Sequence, residues 1–372
     1  MTAGRKPTRK IETTTAVEII NAKQLKIIKP EGISEAITAA PGIYVNQSQG
    51  RRGSIVTRGF PDGGNPLGGL DYTAILIDGL PAFGSTGRIP EAGFGFDVNV
   101  DRVEVVRGSA ATLFGRASAA GAINVISKIG GNTLGGSVRV TNYNNVFTEG
   151  AGNFNYRVDY NLNGPITKDK TLRFNIGVWM LDDKGFKNTG FKDKGYQLRG
   201  NLDYTLPDNF GKLNFYFLNS NYVFQNLTDV PTDFNTMKTT GNWKNYQTMQ
   251  NFEDFYNVRF TVYESGSAPN AFPTRRVNGV DSISRTVRKV MDDNSYGKAT
   301  HFGLTADLNF GDGFGFENRF RYQEIVSGTK YSFALPSFYK NNTLLRLLLD
   351  GDSRDNDVIN ETQSKNLLIE KM

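Results

Sequence analysis

The chain has 372 residues, 38% apolar and 12% aromatic, with 41 glycines, no cysteine and a single histidine, His301. That inventory excludes structural zinc, iron–sulfur ligation, a thiol nucleophile and any two-histidine metal site, and no apolar run approaches the ~18 residues of a transmembrane helix. The net charge of +6 lies wholly in residues 1–60, where ten Lys/Arg face four acids, yet the first 40 residues hold no Phe, Tyr or Trp, so the basic, aromatic-interleaved stripe of nucleic-acid binding is missing.

Met1 is followed by Thr-Ala-Gly-Arg-Lys-Pro-Thr-Arg-Lys, with no apolar signal region. The protein either stays in the cytoplasm or this sequence begins after a signal was removed; the later segments favour the second. Thr15–Ile20 reads as a strand, and Asn21 caps a short helix through Ile28. Ile33–Ala39 is a second short helix, stopped by Pro41-Gly42. Short strands follow at Ile43–Asn46, Ser54–Arg58, Thr73–Asp78, Val103–Arg107 and Ala122–Lys128, with a small helix at Ser109–Leu113 and glycine-rich loops between. Residues 1–130 therefore read as a small α+β domain: a mixed sheet with short helices.

After Gly131 the period becomes two. Phe154, Tyr156, Val158, Tyr160 and Leu162 alternate with Asn155, Arg157, Asp159 and Asn161. Leu172–Met180 alternates with Arg173, Asn175, Gly177 and Trp179, and Leu198, Leu202 and Tyr204 alternate with Gln197, Arg199, Asn201 and Asp203. The pattern returns at His301–Phe310 and Phe316–Gln323, and less cleanly at Ser137–Tyr143 and Leu213–Gln225. Each strand has one apolar and one polar face. A soluble antiparallel sandwich alternates in the same way. Against it, the strands run about 10–13 residues, near the ~9–11 that cross a bilayer at a tilt, and the polar face carries full charges, which suits a wet lumen. Connections also alternate: short at Gly164–Lys170, Pro207–Lys212 and Gly311–Gly315, long at Asp182–Gly195, Asn226–Gly297 and Leu335–Asn360. Residues 131–372 thus read as antiparallel transmembrane β-barrel strands, seven with an eighth at Glu361–Met372. No Gly-x-Ser-x-Gly elbow accompanies His301, so a serine-hydrolase triad has no support.

Three blocks carry the specific signal: Thr57-Arg58-Gly59-Phe60; Ile75-Leu76-Ile77-Asp78-Gly79-Leu80-Pro81; and Asp101-Arg102-Val103-Glu104-Val105-Val106-Arg107-Gly108, continuing through Leu113-Phe114-Gly115-Arg116 to Ala122-Ile123-Asn124-Val125-Ile126-Ser127-Lys128. In this order they closely resemble the plug domain of TonB-dependent outer-membrane receptors, and Asn163-Gly164-Pro165-Ile166 extends the likeness into the first barrel strands. The resemblance implies a non-enzymatic transporter of the Gram-negative outer membrane, in contact with its lipid and without a protein-bound cofactor or metal. Its implied partners are the TonB–ExbB–ExbD complex, acting through the plug N-terminus, and a scarce small ligand. The Leu113-Phe114-Gly115-Arg116 stretch looks most like the siderophore-receptor branch, so a ferric siderophore is the implied cargo; cobalamin, haem and oligosaccharide receptors share the plug. A soluble adhesin or sugar-binding module would require the motif match to be coincidence.

In similar receptors three plug loops face the ligand, here Val45–Ser54, Gly59–Tyr72 and Leu80–Phe96. They nominate Gln47, Arg51, Arg52, Asn65, Tyr72, Phe83 and Arg88 as ligand contacts; the plainer reading of each is a solvated loop residue. Guanidinium groups there suit an anionic ligand. Arg58 and Arg107 each end a strand expected to be largely surrounded by protein, and the resemblance implies that they lock the plug to acidic residues on the barrel wall, with an ion pair inside the plug as the alternative. His301 is expected as a plain polar lumen residue near the outer rim. The aromatic-rich Asn226–Gly297 loop either closes over ligand or braces the rim. Similar receptors close 22 strands around the plug, so ~420 barrel residues are expected beyond these. The chain's end lacks the terminal aromatic of such barrels and its start resembles the stretch after a TonB box, so both ends read as truncated and the fragment alone is not expected to form a working channel.

Overall fold

The computed structural model describes residues 16–49, 52–61, 72–82, 95–108, 118–143, 155–183, 193–224, 232–233, 238–239, 261–263, 274–277, 280–283, 295–311, 314–334 and 346–366. The expected helix at Ser109–Leu113 lies outside them.

The chain opens with strand β1 (Ala16–Ile20) and helix α1 (Ala22–Ile28). Asn21 starts α1 as a capping box: its Oδ1 accepts the Lys23 and Gln24 amides at 3.0 and 3.1 Å, and Gln24 Oε1 accepts the Asn21 amide at 2.9 Å. Lys29 ends it in the left-handed conformation, its amide bonded to Leu25 O. Helix α2 (Ile33–Ala36) tightens into a 3-10 turn at Ile37–Ala39 before Pro41-Gly42. Next come β2 (Ile43–Gln49), β3 (Arg52–Thr57), β4 (Phe60–Pro61), β5 (Thr73–Ile77), β6 (Leu80–Pro81), β7 (Val100–Arg107) and β8 (Gly121–Ser127).

These strands form a central sheet in the order β1-β7-β8-β5-β6 and a smaller β2-β3-β4 sheet. Only β5 and β8 pair in parallel, so the central sheet is mixed. A buried bond of 2.9 Å between the Thr57 and Thr73 hydroxyls ties the two sheets. The tight turns at Arg58-Gly59 and Asp78-Gly79 put both residues at positive φ, 51° and 84°, then 52° and 86°, which matches the right-handed twist of a hairpin. All of β5 is buried. Ile20, Leu25, Ile33, Ile37, Ile75, Phe96, Val103 and Ile123 make the main core against the two helices; Val17, Ala74, Leu76, Val106 and Ala122 cluster separately. Each fully buried Ile or Leu contributes about 1.5–3 kcal/mol.

The second half is a curved wall of eight long antiparallel strands: β9 (Gly135–Asn142), β10 (Tyr156–Pro165), β11 (Leu172–Asp183), β12 (Asp193–Thr205), β13 (Gly211–Phe224), then β19 (Ser295–Gly311), β20 (Phe314–Ala334) and β21 (Arg346–Asn366). Between β13 and β19 lie β14 (Thr232–Asp233), β15 (Lys238–Thr239), β16 (Thr261–Tyr263), β17 (Thr274–Val277) and β18 (Val280–Ile283). β14–β15 and β17–β18 are two hairpins, and β16 adds to β21 in parallel. Among the described residues no helix is long and apolar enough to cross a membrane.

The period-two reading assigns the faces correctly. Tyr160, Leu162, Ile176, Met180, Phe217 and Phe302 point outward and are exposed, while Arg157, Asp159, Asn175, Gln197 and Arg199 are buried against the N-terminal domain. The expected wet lumen face is therefore dry along these strands: Asp159 and Gln197 are 0% exposed. The eighth strand starts at Arg346, inside the segment expected to be a long loop, and β20 runs on to Ala334. His301 sits in the middle of β19 and not near its rim, 3% exposed on the inner face.

Asn21→Ala should cost α1 about 1 kcal/mol. Faster amide exchange at Leu25–Ile28 in the folded protein is the expected result; unchanged exchange would assign the helix to Leu25 packing alone.

Candidate functional site

The structure brings the inner face of β10–β13, β19 and β20 against a stretch of irregular backbone, residues 95–99, and against the ends of β5 and β8. Strand register arranges the inner side chains in level rows. One row runs Asn161, Gly177, Arg199, Leu218, His301, Gln323; the next runs Asn163, Asn175, Asn201, Tyr216, Gly303, Arg321. Buried polar groups need partners, and here the N-terminal domain supplies many of them.

Arg199 grips Asp97 with both arms, Nε donating to Oδ2 at 2.9 Å and a terminal nitrogen to Oδ1, and reaches the Ser127 hydroxyl at 3.2 Å. The ion pair is almost fully enclosed, with side chains 6% and 0% exposed. Gln197 pairs with the Gly95 backbone in both directions at 2.9 Å, and its amide nitrogen also donates to Asp97 at 3.2 Å. Arg157 donates to the Phe96 carbonyl while its charge is met by Asp159 at 2.9 Å, and its guanidinium stacks 5.0 Å from the Trp179 ring. Asp159 is bracketed from its other side by Arg139 at 3.0 Å. Arg321 donates to the Ile77 and Pro81 carbonyls, on either side of the Asp78-Gly79 turn.

Asn99 makes the closest fit. Its Oδ1 accepts from Asn161 at 2.5 Å and from Asn175 at 3.4 Å, and Asn161 also donates to Asn175 at 2.7 Å. The Asn99 side chain fills the space above Gly177, where a Cβ would lie 1.3 Å from Asn99 Nδ2. Gly95 lies against Trp179 in a similar but looser way, 2.5 Å for the same construction. Lower down, Asn201 donates to the Lys128 carbonyl at 2.7 Å and the Lys128 ammonium to Val98 O at 2.5 Å. Burial pushes the Lys128 ammonium below its usual pKa, opposed by nearby Asp97.

Of the residues nominated from sequence, the described ones fall elsewhere. Tyr72 is half-buried beside β5, its carbonyl accepting the Ala120 amide at 2.7 Å. Gln47 and Arg52 lie on the β2–β3 hairpin, which carries a register shift between Asn46 and Gln49; their side chains lie outside the description, as do Arg51, Asn65, Phe83 and Arg88 entirely. Arg107 donates to the Pro41 carbonyl at 2.8 Å, within its own domain. Arg58 occupies a turn, exposed, with its guanidinium beside Gly108; it is not enclosed by protein as a strand end was expected to be. The contacts that tie domain to wall run the other way: wall Arg, Asn and Gln reach the carbonyls and short side chains of residues 77–81, 95–99 and 127–128. Sequence reading missed Asp97, Asn99 and Gly177 because they sit in a loop and a strand that looked ordinary. The one available signal was a glycine on the polar face of an otherwise regular strand.

Gly177→Ala should unseat Asn99 and loosen the docking, and Asn99→Ala alone should cost about 1–3 kcal/mol for the amides left unpaired. Because the two changes act on one contact, adding Asn99→Ala to Gly177→Ala should cost much less than it does alone. Urea-dependent proteolysis between residues 95 and 130 in the full-length protein reads this; simple additivity would refute the fit.

A family model described as TonB-dependent Receptor Plug Domain matches residues 9–122. The ferrioxamine B receptor of Salmonella typhimurium is 29% identical over 206 residues, covering 53% of this chain and 26% of that protein. The ferric enterobactin receptor of Pseudomonas aeruginosa is 32% identical over 188 residues, covering 45% and 24%. The chain thus spans about a quarter of the length of these curated relatives. The crystal structure of the ferripyoverdine receptor of the Pseudomonas aeruginosa outer membrane, bound to ferripyoverdine, superposes with a TM-score of 0.63 at 16% identity, covering 97% of this chain and 41% of that one. That likeness carries the fold: an N-terminal domain seated against antiparallel strands. Residues 9–122 match the plug domain of TonB-dependent receptors, and the antiparallel strands that follow hold that domain by its backbone and short side chains.

Proposed function

We propose that the protein carrying this chain takes up a ferric siderophore across the Gram-negative outer membrane by TonB-dependent active transport. The plug match carries the reading, and the names of the two sequence relatives, both receptors for iron chelates, support the cargo class. The ligand binds the plug apices and outer loops. The TonB–ExbB–ExbD complex, driven by the proton gradient, then acts on the plug N-terminus. The plug rearranges and the ligand passes to the periplasm. No substrate bond is made or broken, so the protein is not an enzyme. Iron arrives already chelated.

The docking supports a gate of this kind. A plug held by oriented hydrogen bonds and the enclosed Arg199–Asp97 pair has a defined resting position, and among the described residues its apolar contact with the wall is the small patch of Leu218, Ala299 and Ile325. Residues 1–130 are the moving part in this reading and residues 131–372 belong to the barrel. Gln47, Arg51, Arg52, Asn65, Tyr72, Phe83 and Arg88 are the proposed ligand contacts, and Arg58 and Arg107 a proposed further lock between plug and wall.

Deleting the full gene should abolish uptake of radioiron on its siderophore under iron limitation, and loss of the proton gradient should do the same. Uptake indifferent to iron, with labelled cobalamin or a sugar transported instead, would overturn the cargo. Arg51→Ala, Arg52→Ala and Arg88→Ala should each weaken siderophore binding by roughly tenfold if that guanidinium contacts the ligand; unchanged affinity in all three would remove them from the site.

A further inference from the structure

The wall does not grip the plug evenly. On β10–β12 it holds by paired side-chain bonds: Asn161 and Asn175 on Asn99, Gln197 on Gly95, Arg199 on Asp97. Along the same rows, at β13 and β19, this pattern stops. A cavity opens there between plug and wall, lined by Asp78, Ser127, Asn201, Asn214, Tyr216 and His301, with Arg199 and Arg321 at its border. His301 is 3% exposed and its Nε2 has no hydrogen-bond partner, and the same holds for Asn201 Oδ1 and Asn214 Nδ2. On β13, the enclosed Ser220 hydroxyl is also unpartnered. The Asp78 carboxylate is occupied, accepting the Ser127 amide at 2.7 Å and hydroxyl at 2.8 Å. The Tyr216 hydroxyl donates to Phe320 O at 3.1 Å.

Apart from the Arg321 bonds to Ile77 and Pro81 at its β20 edge, the contact in this quadrant is apolar. Leu218, Ala299 and Ile325 of the wall join the plug's main core cluster. Apolar contact has no preferred direction, so it permits sliding where a hydrogen-bonded latch does not. A buried ring nitrogen and amide with unused hydrogen-bonding capacity are also less stable closed than when they meet water or a polar group.

We infer that the plug first parts from the wall at this cavity, along β13 and β19. The parting point does not rest on the uptake reading. The latched quadrant at β10–β12 stays closed longer and acts as the hinge side.

The sequence has no cysteine, so single thiols can be placed without background. In the purified whole receptor, His301→Cys and the near-isosteric Ser220→Cys are compared with Asn161→Cys, which is 7% exposed against 3% and 2% for the other two. The thiols at positions 220 and 301, on β13 and β19, should react with a maleimide at least tenfold faster than Asn161→Cys in low urea, although they are the more enclosed at rest. Equal rates, or the reverse order, would overturn the parting point. A preserved labelling asymmetry in a receptor that transports no siderophore would sink the uptake reading and leave the parting point standing.

Discussion

Everything in this structure turns on one demand: polar side chains on the inner face of the wall are buried, so they must be satisfied without water. A strand that shows hydrocarbon one face turns the alternate side chains inward. Here those are Arg157, Asp159, Asn161, Asn175, Gln197 and Arg199, and the plug covers them. A regular sheet or helix would offer no free backbone. Residues 95–99 are neither, and their carbonyls and short side chains remain available to the wall. The irregular stretch is the part of the plug that matches the wall.

The same demand explains why the contact is specific without being fixed. Oriented bonds such as Gln197 to the Gly95 backbone lose their value within a small displacement. Enclosing Arg199 with Asp97 costs desolvation that their attraction largely offsets, so the pair sets position more than it adds stability. The apolar core of the plug, centred on β5, β7 and β8, meets the wall without directed bonds where Leu218, Ala299 and Ile325 join it.

Much of this was legible in the residues. Alternation gave the faces of β10, β11 and β12, Asn21 gave the start of α1, and Asp78-Gly79 gave a hairpin turn. The upper parts of β20 and β21 were not legible. Arg346–Asp357 runs Leu-Leu-Leu and then Asp-Gly-Asp-Ser-Arg-Asp-Asn-Asp, a stretch without period-two alternation, so nothing in it signals a strand. Nor was the pairing of the arginines. A buried guanidinium announces that it needs acceptors but not which ones, and backbone carbonyls leave no trace in side-chain identity. Arg107 on Pro41 and Arg321 on Ile77 and Pro81 are both of that kind.

The seat of Asn99 above Gly177 also has a historical side. The two positions are 78 apart in sequence and share one volume. A lineage that first shortens residue 99 leaves position 177 free to accept a methyl group. A lineage that takes the opposite order passes through a form whose plug is displaced. Drift at this contact is thus directional, and a glycine that touches no ligand is held in place by the order in which its neighbours are permitted to change.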